Sequence, residues 1–337
     1  MRKRIIPLLL LFSLLLGGCA PSTAERSVTF FAMDTYMTLR IYDGDDDVLN
    51  DAEEVVTDME RRISVTDAES EIAHLNRTGK ARLSPETGSL LKRALALCEE
   101  TAGALDITVY PLVRAWGFTT PEQHVPDEET IRSLLPAVGY TGVTLDDDTA
   151  SLPEGAAIDL GAVAKGYLGD RLAQLLRMRG VSSGLLDLGG NIHAIGKKPD
   201  GSPWHIAVRA PQGDGNVGVV DVENEAVVTS GGYERCFTGE DGTVYWHILD
   251  PATGSPARSG VISATVVGPE GARCDALATA LFVLGADRAA AFWRQHKDFE
   301  MILLTEDGEL LITPQLAERF TPNEDAGYRL QVIDRVI

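Results

Sequence analysis

The sequence predicts an α+β fold, with mixed or largely antiparallel sheets and helices packed on them, and not a Rossmann layout. Three observations carry this. Strand-like runs come mostly as hairpins, as in residues 141–145 with 150–152 across an Asp-rich turn, and 301–304 with 310–312 around Asp307-Gly308. Helical patterns stand in separate blocks, as in residues 272–284 and 287–296. The regular strand–helix alternation of a parallel sheet is missing. A chain of 337 residues with 44% hydrophobic content is long and apolar enough to bury a sizeable core. It shows no short-period repeat and no low-complexity linker beyond its N-terminal tether.

In chain order, residues 28–43 alternate and carry aromatic and β-branched side chains, which predicts a strand or hairpin bending near Met33-Asp34-Thr35. Residues 43–47 form an acidic turn without the ligand spacing or terminal Glu of a calcium loop. Val48, Ala52, Val55, Met59 and Ile63 recur at helical spacing. Residues 64–77 are polar and read as a loop ending in His74-Leu75-Asn76. Ser84-Pro85 opens a helix with Pro at its first position, and Gly103 follows its end. Residues 128–135 read as a short helix. Asp159 closes a short apolar run, Gly161 follows, and Leu168, Leu172, Leu175 and Leu176 give an amphipathic helix up to Gly180. Residues 185–188 form a strand ending at Gly189-Gly190-Asn191. Residues 193–195 and 204–208 flank a turn of Lys, Pro, Asp and Gly, which predicts another hairpin. Residues 226–229 run into Ser230-Gly231-Gly232-Tyr233, and strand 244–249 leads to Asp250-Pro251-Ala252-Thr253-Gly254. Residues 262–267 form a strong strand, and 331–333 add a last one.

The N-terminus reads as an address. Arg2, Lys3 and Arg4 precede an apolar run, 5–16, too short to span a bilayer comfortably. Leu16-Gly17-Gly18-Cys19 then resembles a bacterial lipobox, which implies cleavage before Cys19 and lipidation of its thiol. An ordinary signal peptide with a cysteine nearby is the other reading. The expected segments are a lipoprotein signal peptide over 1–18, a lipidated tether over 19–27 and one folded domain over 28–337. The protein is then exported and lipid-anchored to the cell membrane on its extracytoplasmic face, the periplasmic side in a Gram-negative. Thirty basic against fifty acidic residues give a formal charge of −20, which argues against nucleic acid or an anionic membrane surface as partner. An anionic substrate therefore needs a local positive pocket or a metal. Cys98, Cys236 and Cys274 form no CxxC pair, so zinc is not expected. Buried free thiols are the expectation, with one disulfide open in an exported protein.

Three stretches carry chemistry. In Ile158-Asp159-Leu160-Gly161-Ala162-Val163-Ala164-Lys165-Gly166, a helix start offers unpaired N–H groups and the positive end of the helix dipole. Lys165 adds a full charge and Asp159 a carboxylate, which suits a nucleotide–metal site; a plain capped helix packed through Gly and Ala fits the same residues. In Arg273–Ala280, Asp275 and Thr279 lie four apart and share a helix face, offering two hard oxygens of the kind magnesium takes alongside substrate phosphates. A simple charge or cap at a helix N-terminus is the alternative for Asp275. In His247-Ile248-Leu249-Asp250-Pro251, His247 can take a proton near neutral pH, or serve as a hydrogen-bonded structural histidine. Trp116 and Phe118 flank Gly117 and form either a slot for a planar ring or ordinary core packing.

Taken together, Asp159–Gly166, the preceding Asp106–Phe118, Thr229–Arg235, His247–Gly254 and Asp275–Ala280 resemble, in sequence and in order, the bacterial FAD:protein FMN transferases of the ApbE family. Met33-Asp34-Thr35 and the segment from Ser70-Glu71-Ile72 to Leu75-Asn76 resemble its N-terminal motifs, so the likeness spans roughly residues 28 to 312.

The resemblance implies an ApbE-like, T-fold-like architecture and a magnesium-dependent enzyme. FAD is its substrate, and a Thr (or Ser) hydroxyl of an acceptor flavoprotein attacks the FMN-side phosphorus. FMN becomes phosphoester-linked and AMP leaves. By the same resemblance, the metal is held by the carbonyl of Ala162, Asp275 and the hydroxyl of Thr279. FAD is contacted by Met33, Thr66, Ala115, Trp116, Gly117, Asp159, Lys165 and Leu249. His247, Asp275 and Lys165 form the catalytic group, with His247 considered for proton removal. Ala278 stands where some members carry a further acidic residue. The competing expectations are an FAD pyrophosphatase, with water as acceptor, and a non-catalytic flavin-binding lipoprotein.

Overall fold

The computed structural model describes residues 24–334 apart from 46, 121 and 212–214. The signal-type segment and Cys19 lie outside the described residues. Strands β1 (Arg26–Ala32) and β2 (Thr35–Ile41) open the chain, followed by α1 (Asp47–Ile63), α2 (Glu71–Thr78), β3 (Lys80–Arg82), α3 (Pro85–Glu100), α4 (Tyr110–Ala115) and α5 (Glu128–Leu134). Next come β4 (Thr144–Asp146), β5 (Thr149–Ser151), α6 (Gly161–Met178), β6 (Gly184–Leu188), β7 (Ile192–Ile195), β8 (Trp204–Arg209), β9 (Asn216–Val222) and β10 (Ala226–Gly231). The remainder is β11 (Cys236–Thr238), β12 (Val244–Trp246), β13 (Val261–Gly268), α7 (Gly271–Leu284), α8 (Ala286–His296), β14 (Glu300–Thr305), β15 (Glu309–Ile312), β16 (Phe320–Pro322) and β17 (Arg329–Val332).

Nine strands form one sheet in the order β1-β2-β6-β7-β10-β13-β14-β15-β17. Its pairs are antiparallel except β15–β17, as the α+β expectation requires. Because side chains alternate along a strand, the sheet feeds two cores. Val228, Val266 and Leu303 point toward α7 and α8, while Val227, Val267 and Ile302 face the small sheet β16-β9-β8. Toward the other end, Met37, Leu39 and Leu186 pack with residues of α1, α3 and α6.

Helices α6 and α7 cross at very short range. A Cβ on Gly166 would overlap the carbonyl oxygen of Gly271 and lie 2.8 Å from Cβ of Asp275, so only glycine permits this approach. The N-terminus of α7 has no side-chain cap of its own. Asp170 of α6 supplies one, accepting the N–H groups of Gly271 at 2.7 Å and Ala272 at 2.9 Å.

Four expectations need correction. Residues 71–78, within the stretch read as a loop, are helical: Ser70 caps the N–H of Ala73 at 2.9 Å, and Gly79 closes the helix at φ 71°. Strand β8 pairs with β9, which the sequence reading passed over, and not with β7. The strand read as 244–249 ends at Trp246, leaving His247 and Leu249 beyond it. Cys98 and Cys274 are buried free thiols, but Cys236 is exposed.

Candidate active site

The segment before α6 is strapped in place from two sides. Asn76 donates to the carbonyl of Ile158 at 2.8 Å and accepts its N–H at 2.7 Å, as a paired strand would. The N–H of Asp159 donates to the carbonyl of Ile107 at 2.9 Å. Leu160, at the N-cap, offers no side-chain bond. Asp159 replaces it by accepting the N–H of Gly161 at 2.8 Å, an Asx-type turn. Burial pushes the Asp159 carboxyl above its ordinary value, while the Gly161 N–H and the charges of Arg235 and Lys165 pull it down.

Asp275 reaches the same place from α7. Its Oδ2 accepts the backbone N–H of Gly166 at 2.8 Å, a donor that a regular helix directs at the carbonyl of Ala162. Asp275 is 5% exposed, and no ion pair closes on it among the described residues. Burial raises its carboxyl, with the Lys165 charge and the Gly166 N–H opposing. Thr279 stands one turn further along α7, its hydroxyl 3.2 Å from that of Ser230 at the end of β10. A buried, unpaired carboxylate beside a helix start, with a hydroxyl one turn on, suits a hard cation. No cluster of three or more His, Cys, Asp or Glu side chains able to hold a metal occurs among the described residues. The expected donor set needs only one carboxylate, because substrate phosphates fill out a magnesium shell.

His247 is fixed by one carbonyl. The oxygen of Arg235 accepts its backbone N–H at 3.0 Å and lies 3.3 Å from Nδ1. A carbonyl only accepts, so Nδ1 carries the hydrogen and Nε2 keeps its lone pair. His247 keeps some solvent contact yet is surrounded by protein on most sides. Desolvation, then the charges of Arg235 and Lys165, push the imidazole down to about 4, against the Arg235 carbonyl that favours its charged form. The Arg235 guanidinium lies 3.7 Å from Asp34.

The flavin-facing expectations divide. Met33 sits in the two-residue turn between β1 and β2, at φ 50°, and its N–H donates to Glu60 Oε1 at 2.7 Å. Thr66 is exposed; beside it, the carbonyl of Val65 accepts from Tyr110 at 3.1 Å, and the Asp159 charge acts on that tyrosine. Trp116 is 2% exposed and donates from Nε1 to the carbonyl of Gly254 at 2.9 Å. It belongs with Leu112 and Leu249 in a small core, so its ring packs and forms no open slot. Gly117, at φ 74°, would overlap the carbonyl of Glu122 with any side chain. Phe118 connects this cluster to His247, edge-on with ring centroids 6.4 Å apart.

The structure thus gathers Asp159, Lys165, Asp275, Thr279 and His247 around the start of α6. Ala115, Trp116, Gly117 and Leu249 lie in the neighbouring aromatic cluster. Sequence reasoning assigned no role to Ser230, Arg235, Glu60 or Asn76. Ser230 and Arg235 sit within the Thr229–Arg235 stretch already singled out, and Asn76 closes the Ser70–Asn76 segment; those were the available signals.

The model of the ApbE family matches residues 33–303. An FAD:protein FMN transferase of Klebsiella pneumoniae (strain 342) is 33% identical over 312 residues, covering 90% of this chain and 95% of that protein. One from Treponema pallidum (strain Nichols) is 34% identical over 291 residues, covering 79% and 80%. Among solved structures, the ApbE protein of Thermotoga maritima superposes with a TM-score of 0.83 at 33% identity, covering 88% of this chain and 99% of its own. The flavin transferase ApbE of Vibrio cholerae superposes with a TM-score of 0.79 at 27% identity, with the same coverage.

Proposed function

The chain belongs to the ApbE family and is a flavin transferase, an FAD:protein FMN transferase, and we propose how its residues carry that reaction. The acceptor is a Thr (or Ser) hydroxyl of a flavoprotein. Its oxygen forms a bond to the FMN-side phosphorus, the bond from that phosphorus to the bridging oxygen breaks, and AMP leaves with that oxygen. The hydroxyl proton goes to Nε2 of His247. The observation that carries this reading is the bond between Gly166 and Asp275, which brings a buried carboxylate to the helix start that bears Lys165.

Phosphoryl transfer depends on charge neutralisation and positioning more than on covalent help. Lys165 and the first N–H groups of α6 supply positive potential within a protein of net charge −20. Asp159 holds the turn before that helix. Magnesium, held by the Ala162 carbonyl, Asp275 and Thr279, would neutralise charge on the pyrophosphate. Neutral at physiological pH, His247 keeps its acceptor lone pair available. Met33, Thr66 and the backbone of Ala115–Gly117 are the proposed FAD contacts, with Leu249 packing behind them. We also propose export and lipid anchoring through Cys19; no helix among the described residues is long and apolar enough to cross a membrane.

The test incubates the form lacking residues 1–19 with FAD, magnesium and an acceptor domain. AMP release and flavin fluorescence on the denatured acceptor are followed. AMP with equal covalent flavin is expected. AMP with free FMN alone would show a pyrophosphatase, and bound FAD without AMP a flavin-binding protein.

A further inference from the structure

A continuous set of contacts runs from the β1–β2 turn to the proton acceptor. Glu60 takes the N–H of Met33, the next residue Asp34 faces the Arg235 guanidinium at 3.7 Å, and the Arg235 carbonyl takes the N–H and Nδ1–H of His247. Met33 and Asp34 both sit at positive φ, 50° and 59°, without being glycine. Such backbone persists only where its surroundings over-determine it, here the pairing of Ala32 with Thr35 and the bond that the Met33 N–H donates to Glu60. The Asp34 and Arg235 side chains are 84% and 51% exposed, and an exposed ion pair of this kind adds little stability. Its place is what matters: it is a contact between the loop that carries the His247 acceptor and the β1–β2 turn.

We propose that Arg235 is a positioning residue for His247, anchored by Asp34 so that its carbonyl holds the imidazole with Nδ1 protonated and Nε2 facing the acceptor hydroxyl. This rests on the reading of His247 as the proton acceptor. Its guanidinium has a second effect. Arg235, from the loop after β10, and Lys165, from α6, are the two charges acting on the imidazole, and both disfavour the imidazolium. Removing one makes protonation easier.

The experiment is a side-chain NMR titration of His247 in the full chain without FAD or acceptor. In the unchanged protein the ring is expected to titrate at about 4 with Nδ1 protonated. In R235Q the titration moves to higher pH, stopping short of an ordinary histidine because burial of the ring, and behind it the Lys165 charge, remain. R235K keeps it near the unchanged value. D34N, which releases the guanidinium, mixes the tautomers while the charge stays. With FAD and acceptor, R235Q lowers kcat for transfer about tenfold and moves its acid limb upward, with KM for FAD within about twofold. Coincident titrations of R235Q and the unchanged protein, or an Nε2-protonated ring, would overturn the proposal. Neither NMR arm contains substrate. A chain releasing AMP without covalent flavin would therefore sink the transfer reading and leave the titration result standing.

Discussion

Asp275 accepts the backbone N–H of Gly166 at 2.8 Å, which joins the second turn of α7 to the second turn of α6. Lys165 lies one residue before that bond and Thr279 one turn beyond it. The site is therefore assembled at a helix crossing. The proposed metal donors stand on both helices, so small changes at the crossing are expected to be felt in the chemistry.

Thr279→Ala and Asp275→Asn are expected to raise the magnesium concentration for half-maximal AMP release about tenfold or more, since the first removes a hydroxyl oxygen and the second the carboxylate charge. Magnesium titrations of AMP release check this. Unchanged dependence in Thr279→Ala would remove Thr279 from the metal site.

Gly166→Ala is expected to destabilise the fold by about 1–3 kcal/mol, the range for overpacking, because its Cβ meets the backbone of α7. Gly88→Ala is the control. A Cβ there meets nothing within 4 Å in the interior of α3, so it gains about 0.5–1 kcal/mol from helix propensity. Denaturant unfolding of the two variants should move in opposite directions.

Asp170 gives a pH dependence of stability. Burial, partly offset by the N–H groups of Ala272 and Gly271, raises its carboxyl from 3.8 to about 6. The folded chain then binds this proton more tightly than the unfolded chain. The contribution is full below about pH 4 and falls as pH rises to about 6. Asp170→Asn should flatten that part of the profile relative to the unchanged protein; parallel profiles would count against it.

His247→Gln is expected to lower kcat for transfer about 10²–10⁴-fold, the usual yield of a general base, with FAD binding retained. Because the free imidazole titrates at about 4, kcat/KM should show no histidine limb between pH 5 and 7. A limb near 6.5 in that profile would contradict the assignment.

Cys19→Ser should release the protein from membranes into the soluble fraction and abolish incorporation of labelled palmitate. Membrane retention without the label would point to another anchor.

Much of this was legible from residue order because it is local. Hairpin spacing, the Ser84-Pro85 helix start, the glycines around Lys165 and the four-residue spacing of Asp275 and Thr279 each act within a few residues. Helix α2 is missed in the sequence, where its stretch reads as a loop: Ser70 and Gly79 mark its ends, but its polar composition leaves an apolar face of only Ile72 and Leu75. The partner of β8 was not legible, since strand pairing is a contest among distant segments that periodicity alone does not decide.

By itself, the sequence determined the α+β class, the order of the motifs and the residue types of the site, because propensity, capping and side-chain chemistry are properties of short stretches. Only the tertiary structure decided that Trp116 packs as core, that Asp170 caps α7, that Asp275 finds Gly166, and that Arg235 holds His247. The first three join residues 101 to 138 positions apart, and the last joins residues 12 apart across a loop. The packing of glycine against backbone sets such distances, and no local pattern encodes them.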